Sequence, residues 1–311
     1  SFKDYGKLSK KNIDDLEAGH RDIKVTGEEG KQDPLDFVLW KPKKEGEPSW
    51  PSPWGDGRPG WHIECSEMSK KYLGEVFDIH TGGVDHIPTH HENEIAQSKG
   101  AFGKIPAKIW MHVEFLQVNG GKMSKSLGNV YTIEQLEQKG IEALAYKLFC
   151  YTAHYRTKLN FTFEGALASQ KALNRLRESY IKNISGKDEI SNEKIEEYRN
   201  KFLQAINDDL NMPVAMGIVW EVARSEKKSK KIAELLLEFD NVLGLDLINS
   251  EKYINSQKEI EVPSEIQELL NERKKAREEK NWTLSDKIRD EIKLKGYIVK
   301  DTKEGMTVEK V

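Results

Sequence analysis

The segment Val76-Phe77-Asp78-Ile79-His80, followed by Gly82-Gly83, decides the fold of the first part of this 311-residue chain. Its apolar run and its glycine stop predict a short strand. Helical periodicity flanks this strand at residues 61–73 and 90–99, and residues 109–118 are again strand-like. The order helix, strand, helix, strand predicts part of a parallel α/β sheet. Ligands bind such sheets at the carboxyl ends of the strands, so we expect a site beside the two glycines.

Further along the chain, the hydrophobic period changes to that of α-helices. Successive helices are predicted to form a bundle, and a polar linker over roughly residues 246–262 separates it from a helical hairpin and a small β-hairpin. The fold class is therefore α/β plus all-α, in three regions at residues 1–130, 131–245 and 263–311. The helices predicted for the middle region are 133–140, 142–154, 163–185, 192–209, 214–224 and 230–242.

The composition limits the classes of protein that fit. Lysine and arginine total 49 against 52 for aspartate and glutamate, so the net charge of −3 excludes a uniformly basic nucleic-acid coat but permits a local basic face. No apolar run reaches the length of a membrane span, so we expect no membrane partner. The two cysteines, Cys65 and Cys150, exclude a disulfide framework, and we expect a cytoplasmic protein. Because Ser1 opens the chain in polar sequence, we also expect its natural N-terminus to lie upstream.

Histidines and carboxylates are concentrated just after the first predicted strand. His90 and Glu94 are four residues apart on a predicted helix, so both project from one face. An imidazole and a carboxylate at this spacing, with the thiolate of Cys65 as a softer third donor, are a ligand set that zinc favours. A solvated helix start that happens to hold two histidines is an equal alternative on these residues alone. The cluster also contains His86, His91 and Glu92.

A second cluster, Lys122-Met123-Ser124-Lys125-Ser126, lies between a Gly-Gly turn and Leu127-Gly128-Asn129. Two lysines and two hydroxyls on a loop are suited to a polyphosphate, because the lysines neutralise charge that develops at a transferring phosphorus. As an isolated pattern this is weak evidence, since most such loops are solvated surface.

Two weaker features each accept a functional and a structural interpretation. Asp85, which follows Gly82-Gly83, is placed either to accept hydrogen bonds from a ribose or to form a local turn with its own backbone. Trp282, Asp286 and Asp301 in the last region are suited to stacking on bases and accepting from base amino groups, or are hairpin core and solvated surface.

Together, these stretches resemble the cysteinyl-tRNA synthetases, a family of class I aminoacyl-tRNA synthetases. The resemblance covers the whole chain. The lysine cluster alone indicates class I synthetases, and the Cys65 phrase with the His90 helix points to cysteine. The matching phrases are Asp33-Pro34-Leu35-Asp36-Phe37-Val38-Leu39-Trp40-Lys41, Gly60-Trp61-His62-Ile63-Glu64-Cys65-Ser66, Asp78-Ile79-His80-Thr81-Gly82-Gly83, His90-His91-Glu92-Asn93-Glu94-Ile95-Ala96-Gln97, Lys122-Met123-Ser124-Lys125-Ser126-Leu127-Gly128-Asn129, Ala153-His154-Tyr155-Arg156 and Leu159-Asn160-Phe161.

The resemblance implies a function for each region. Residues 1–130 are expected to be the C-terminal part of a Rossmann-like class I catalytic domain with its connective insertion. Residues 131–245 are expected to form the stem and the tRNA-binding helical bundle, and residues 263–311 an anticodon-binding unit. The implied partners are cysteine, ATP with Mg²⁺, and tRNA(Cys), and we expect a monomer. The family's fourth zinc ligand, an N-terminal cysteine, and its His-x-Gly-His element are not found in this sequence.

The resemblance also implies a role for each site residue. One Zn²⁺ per chain, held by Cys65, His90 and Glu94, is expected to bind the substrate sulfur, and Trp61 is expected to contact the substrate. Lys122 and Lys125 are the expected catalytic residues. ATP binding is expected at Gly83, Asp85, Lys122, Met123, Ser124, Lys125 and Ser126, and anticodon recognition at Trp282, Asp286 and Asp301.

Two rival functions remain open from the sequence. The first is a ligase that joins activated cysteine to an amino sugar on the same catalytic fold, although such an enzyme would lack the long helical tail. The second is a non-catalytic tRNA-binding protein derived from a synthetase, against which the lysine cluster and the zinc residues argue.

Overall fold

The computed structural model describes residues 4–10, 36–258, 263–302 and 305–310. The chain divides into two compact units. The first consists of Ser1–Ser169 with Gln204–Met216, and the second of Gln170–Leu203 with Gly217–Val311. The residues expected to bind zinc, ATP and cysteine all belong to the first unit. The three functional regions inferred from the sequence stay predictions.

The first unit begins with short elements that lead to a parallel strand pair. The antiparallel strands β1 and β2 precede helix α1 and strand β3, and helix α2 connects β3 to β4. Strands β3 and β4 pair in parallel, from Phe77 opposite Ala107 to Gly83 opposite Val113, which confirms the predicted parallel α/β arrangement. The bounds are β1 Trp40–Pro42, β2 Gly57–Pro59, α1 Ile63–Leu73, β3 Phe77–Gly83, α2 Glu92–Phe102 and β4 Ala107–Val113.

The single strand predicted over residues 109–118 is wrong. The chain turns after β4, and its next strand belongs to another sheet. The backbone N–H of Glu114 donates to the carbonyl of Tyr155 over 2.8 Å, and its carboxylate accepts from the N–H of Phe115 over 2.8 Å. These contacts turn the chain away from β3. In the new sheet, β5 (Leu116–Val118) lies between antiparallel β6 (Gly121–Lys122) and parallel β7 (Leu159–Phe161).

Helices occupy most of the chain between residues 131 and 258, and every helix predicted there is present with shifted ends. One expectation is wrong: part of the stretch taken for a polar linker forms helix α9. The carboxylate of Asp240 accepts from the backbone N–H groups of Leu245 and Leu247, and Leu247 is fully buried. The helices are α3 Ile133–Glu137, α4 Ala143–Cys150, α5 Phe163–Ile184, α6 Asn192–Asn207, α7 Met212–Ala223, α8 Lys230–Leu243 and α9 Ser250–Lys258. Among the described residues, no helix combines the length and apolar character needed to cross a bilayer.

Residues 264–310 form the C-terminal α+β region, in agreement with the expected helical hairpin and β-hairpin. Helices α10 (Ser264–Glu278) and α11 (Trp282–Leu294) are followed by antiparallel strands β8 (Tyr297–Thr302) and β9 (Gly305–Lys310). The side chain of Asn281 caps α11 by accepting from the N–H of Leu284. The region has a core of its own, made of Ile266, Leu270, Ile288, Ile292, Tyr297 and Val299.

We predict that Ile292→Ala destabilises the C-terminal α+β region by about 2–5 kcal/mol, since Ile292 is fully buried in its core. The matched control is Leu294→Ala on the same helix. Leu294 is 89% exposed, and its truncation is expected to change the free energy of unfolding by less than about 0.5 kcal/mol. Hydrogen exchange of peptides from residues 264–310, measured during denaturant unfolding, checks both values. Equal effects of the two substitutions would contradict this core.

Candidate active site

Three residues expected to bind zinc meet at the start of helix α2. Cys65 lies in the first turn of α1, His90 in a π-helical turn over Ile87–His91, and Glu94 in the first turn of α2. One donor atom from each lies within 4.8 Å of the others. Nε2 of His90 is 3.0 Å from Oε1 of Glu94. The helical spacing of His90 and Glu94 therefore places their donor atoms together, and α1 adds a sulfur.

The two carboxylate oxygens of Glu94, a residue only 3% exposed, have different surroundings. Oε2 accepts a hydrogen bond from Nε2 of His80 over 2.6 Å. Oε1 is buried and has no hydrogen-bond donor among the described residues, because Nε2 of His90 is within ion-pair distance but poorly aligned. An unsatisfied buried carboxylate oxygen is costly unless a cation is bound to it. The sulfur, nitrogen and oxygen donors of this site fit Zn²⁺.

A second group of donors, His80, His91 and Glu94, is equally compact, with one atom from each within 4.8 Å. These side chains are already bonded to one another or to neighbours. His80 donates to Glu94, and Nδ1 of His91 lies 2.8 Å from Nε2 of His112. We therefore regard this second group as the support of the Cys65, His90 and Glu94 group rather than as a separate metal site.

The support includes three histidines to which the sequence analysis gave no role, namely His62, His80 and His112. Nδ1 of His62 lies 2.7 Å from Nδ1 of His90. Parallel pairing of β3 with β4 sets Gly82 opposite His112, which brings a histidine from each strand to the same sheet end. The signal in the sequence was the Gly82-Gly83 stop after His80, but the register that adds His112 is not visible there.

Burial controls the protonation of this cluster. Burial lowers the pKa of His91 to about 3, and burial together with the neighbouring His90 lowers the pKa of His62 to about 4. Burial, and next the negative charge of Glu94, raise the pKa of the Cys65 thiol. Burial also opposes ionisation of Glu94, but the hydrogen bond from His80, together with the electrostatic effect of His80, His90 and His91, outweighs it and lowers the pKa of that carboxyl. At neutral pH, His62 and His91 are therefore uncharged and retain a lone pair each.

Glu92, which the sequence analysis placed in the metal cluster, has another role. Its fully buried carboxylate accepts from the backbone N–H of Gly6 over 3.1 Å and of Ser9 over 2.7 Å. The hydroxyl of Tyr5 donates to Oδ1 of Asn93 over 2.6 Å. The start of α2 thus anchors residues 4–10.

Asp85 and Gly83 follow directly from the end of β3. Asp85 is exposed in a 3-10 turn, Val84–His86, and the N–H of Gly83 donates to Nδ1 of His86 over 3.2 Å. A Cβ added to Gly83 would lie 2.3 Å from Oδ1 of Asp85, so this carboxylate lies against the glycine backbone. The position is compatible with both the local-turn and the ribose-binding interpretations.

The lysine loop, residues 122–129, leaves the second sheet at β6. Lys122 and Lys125 are both exposed, and the hydroxyls of Ser124 and Ser126 lie 3.1 Å apart. Met123 is half-buried, and a 3-10 turn at Lys125–Leu127 ends in a left-handed Gly128. The side chain of Asn129 bonds to the loop twice: Oδ1 accepts from the N–H of Ser124 over 2.8 Å, and Nδ2 donates to the carbonyl of Lys122 over 2.9 Å.

Comparison with known proteins agrees with this geometry. A family model described as the catalytic domain of class I (C) tRNA synthetases matches residues 1–172, and a model described as the cysteinyl-tRNA ligase anticodon binding domain matches residues 260–308. A cysteine–tRNA ligase of Lachnospira eligens is 45% identical over 331 residues, covering 98% of this chain and 68% of that protein. The chain belongs to the cysteinyl-tRNA synthetase family.

Other members of the cysteinyl-tRNA synthetase family match equally well. The cysteine–tRNA ligase of Caldicellulosiruptor saccharolyticus is 46% identical, with all of this chain and 68% of that protein covered. The one from Legionella pneumophila strain Corby is 45% identical, with 99% of this chain and 66% of that protein covered. This chain thus spans about two thirds of the length of these relatives.

A crystal structure supports the class I fold. The ternary complex of Agrobacterium radiobacter K84 agnB2 LeuRS with tRNA and LeuAMS superposes on 65% of this chain and 33% of that chain. Its TM-score is 0.51 and its sequence identity 16%. The fold is therefore that of a class I synthetase catalytic domain, followed by helices and the C-terminal anticodon-binding domain of the cysteinyl-tRNA synthetases.

The remaining expected site residues lie on or near the surface. Trp61, two residues before α1, is 73% exposed. Trp282 is 56% exposed as the first residue of α11, with the guanidinium of Arg277 5.7 Å from its ring centroid. Asp286 is exposed and pairs with Arg289 over 3.3 Å. Asp301 lies in β8 opposite Met306, and its side chain is outside the described residues.

We predict that Gly82→Ala disrupts the histidine cluster, because the new Cβ would lie 2.7 Å from Cε1 and 2.8 Å from Nε2 of His91. The expected loss is about 1–3 kcal/mol of unfolding free energy. Gly100→Ala in α2 is the matched control, since its Cβ would meet nothing within 4 Å. It is expected to be neutral or to stabilise by up to about 1 kcal/mol. Denaturant midpoints of the full-length variants measure both, and equal midpoints would contradict the tight packing at Gly82.

Proposed function

We propose that the protein joins cysteine to tRNA(Cys) in two steps. In the first, the cysteine carboxylate attacks the α-phosphorus of ATP, which forms cysteinyl-adenylate and releases pyrophosphate with its Mg²⁺. In the second, a terminal ribose hydroxyl of the tRNA attacks the adenylate carbonyl, which releases AMP. Neither step needs a covalent enzyme intermediate, so positioning and charge stabilisation provide the acceleration. The observation that carries this proposal is the Cys65, His90 and Glu94 group in a chain of the cysteinyl-tRNA synthetase family.

Cys65, His90 and Glu94 are proposed to hold one Zn²⁺, supported by the donor-free Oε1 of Glu94. A zinc ion bound there would supply a soft coordination position for the substrate thiolate. Serine differs from cysteine by one atom, and shape alone discriminates such pairs by only about 10–200-fold. Because a soft metal prefers thiolate to a hydroxyl that stays protonated at neutral pH, the metal would add the missing selectivity.

The surrounding histidines are proposed to orient these ligands. The hydrogen bond from His80 fixes the Glu94 carboxylate and leaves Oε1 for the metal. If Nε2 of His90 faces the metal, its Nδ1–H donates to Nδ1 of His62, which is 2.7 Å away. The low pKa of His62, about 4, keeps that ring uncharged and able to accept. Such outer hydrogen bonds set the tautomer and the direction of a metal-bound imidazole.

ATP is proposed to bind between the end of β3 and the lysine loop. Asp85 would accept from the ribose hydroxyls, and the glycine backbone at Gly83 would allow a close approach. Lys122 and Lys125 are exposed, so their ammonium groups are available to the phosphates. Lys125 is proposed to stabilise the charge that develops on the departing pyrophosphate, with Lys122 in support.

The C-terminal α+β region is proposed to read the anticodon through Trp282, Asp286 and Asp301. Trp282 and Asp286 are both exposed on α11, so a base can stack on the indole and donate to the carboxylate. The match of residues 260–308 to an anticodon-binding model disfavours the rival ligase acting on an amino sugar, which has no anticodon to read.

We predict that Cys65→Ser in the full-length protein lowers the zinc content below one per chain and raises the dissociation constant for cysteine about tenfold or more, because a neutral hydroxyl replaces the thiolate donor. Zinc analysis and calorimetry with cysteine measure the two effects. Cys150→Ser is the matched control, since Cys150 lies outside the group, in α4. Unchanged zinc content and cysteine affinity in Cys65→Ser would refute the zinc assignment.

We predict that Asp286→Asn reduces aminoacylation of tRNA(Cys) by the equivalent of about 1 kcal/mol, because a neutral amide oxygen accepts more weakly than a carboxylate. ATP–pyrophosphate exchange is expected to stay unchanged, because activation needs no tRNA. Glu291→Gln makes the same isosteric change about 140° around α11 and is the control. An equal fall in both half-reactions would show that Asp286 supports the fold instead of contacting a base.

A further inference from the structure

A single side chain closes the lysine loop on itself. Asn129 is the last residue of the loop, and its amide accepts from the N–H of Ser124 and donates to the carbonyl of Lys122. A backbone N–H can only donate and a backbone C=O can only accept. These two partners therefore determine which atom of the side-chain amide is oxygen and which is nitrogen. Ser124 and Lys122 flank Met123, and the amide therefore pairs with the backbone on both sides of that residue.

This pairing reproduces a parallel β-ladder with a side chain in place of a strand. In such a ladder, the C=O of one residue accepts from the residue after its partner, and the N–H of the same residue donates to the residue before its partner. Strand β6, which ends at Lys122, lies at the edge of the order β6-β5-β7 in the described sheet. The Asn129 amide supplies one acceptor and one donor at this edge. A carboxamide offers both, whereas an ionised aspartate of the same size offers acceptors alone.

The opposite end of the same strand is held by another asparagine. Oδ1 of Asn160, on β7, accepts from the N–H of Gly120 over 2.7 Å, and the N–H of Asn119 donates to the carbonyl of Phe161 over 3.0 Å. The base of the lysine loop is thus attached to the sheet, and Asn129 closes its far end. Hydrogen bonds thus hold the loop backbone in one conformation, while the side chains of Lys122 and Lys125 remain exposed.

We propose that Asn129 is a positioning residue for adenylate formation, which sets the directions in which Lys122 and Lys125 leave the loop. This inference rests on the proposed activation of cysteine by ATP. Two ammonium groups that act on one polyphosphate have to be placed before the transition state, and mobile lysines would lose part of their effect. Asn129 touches neither reactant in this role, and acts through the backbone of Lys122 and Ser124.

The test compares Asn129→Asp, Asn129→Gln and Asn129→Ala in the full-length protein. Asp keeps the size and the acceptor for Ser124 but removes the donor to Lys122, whereas Gln keeps donor and acceptor. Hydrogen exchange of peptides covering residues 120–130, measured without ATP, reports on the two hydrogen bonds from the side chain of residue 129 to the loop backbone, which we call the clamp. ATP–pyrophosphate exchange gives kcat and the KM values for ATP and cysteine. Asn249→Asp is the control, since Asn249 also donates from its amide, to Asp246, in the second unit.

Asp and Ala at position 129 are expected to speed exchange of the loop and to lower kcat about tenfold or more, with the KM for cysteine unchanged. Asn129→Gln is expected to retain a higher kcat than Asn129→Asp, because it keeps both the donor and the acceptor. If only the size of the side chain mattered, Asn129→Asp would have the higher kcat. Wild-type turnover in Asn129→Asp, or slowed turnover with unchanged loop exchange, would overturn the proposal. Absence of ATP–pyrophosphate exchange in the wild-type protein would contradict the proposed function. Hydrogen exchange of the loop would still show whether Asn129 holds the loop backbone.

Discussion

The buried carboxylate of Glu94 is the constraint on which the candidate active site depends. A charge at 3% exposure requires compensation on both oxygens, and the residues that the structure describes provide a hydrogen bond for only one of them. Its other oxygen faces His90 and lies near Cys65, from a different helix. This incomplete compensation favours binding of a cation by Cys65, His90 and Glu94, which their closeness alone would not do.

The packing around this carboxylate explains several residues that carry no chemistry of their own. Gly82 has to be a glycine because the ring of His91 occupies the place of its side chain. His91 in turn contacts His112 at the end of the neighbouring strand. Glu92, two residues from both His90 and Glu94, binds the segment at residues 4–10. The geometry of the site is therefore set by the end of β3 and the start of α2, whose side chains pack against each other.

Local patterns in the sequence allowed the helices and the grouping of His90 with Glu94 to be predicted, because both follow from periodicity within one element. The parallel strand pair was predictable from the alternating order of helices and strands. What depends on contacts between elements was not predictable. The pairing of His62 with His90 needs α1 to reach α2, and His112 enters only through the strand register. Helix α9 was missed because its polar sequence gives no sign that Asp240 organises the preceding turn. The role of Asn129 depends on the path of a loop, which has no period to detect.

The hairpin that leads into the lysine loop has a consequence for the chemical ageing of the protein. Asn119-Gly120 forms its two-residue turn with φ of 49° and 76°, the pair of left-handed residues that such a turn prefers. Asn-Gly is also the dipeptide most prone to spontaneous deamidation, in which the glycine nitrogen attacks the asparagine side chain and ammonia leaves. Here the N–H that this attack must give up is bonded to Asn160. We therefore expect the contact that anchors the hairpin to slow the loss of ammonia as well, and so to lengthen the time over which one copy of the protein keeps an intact loop.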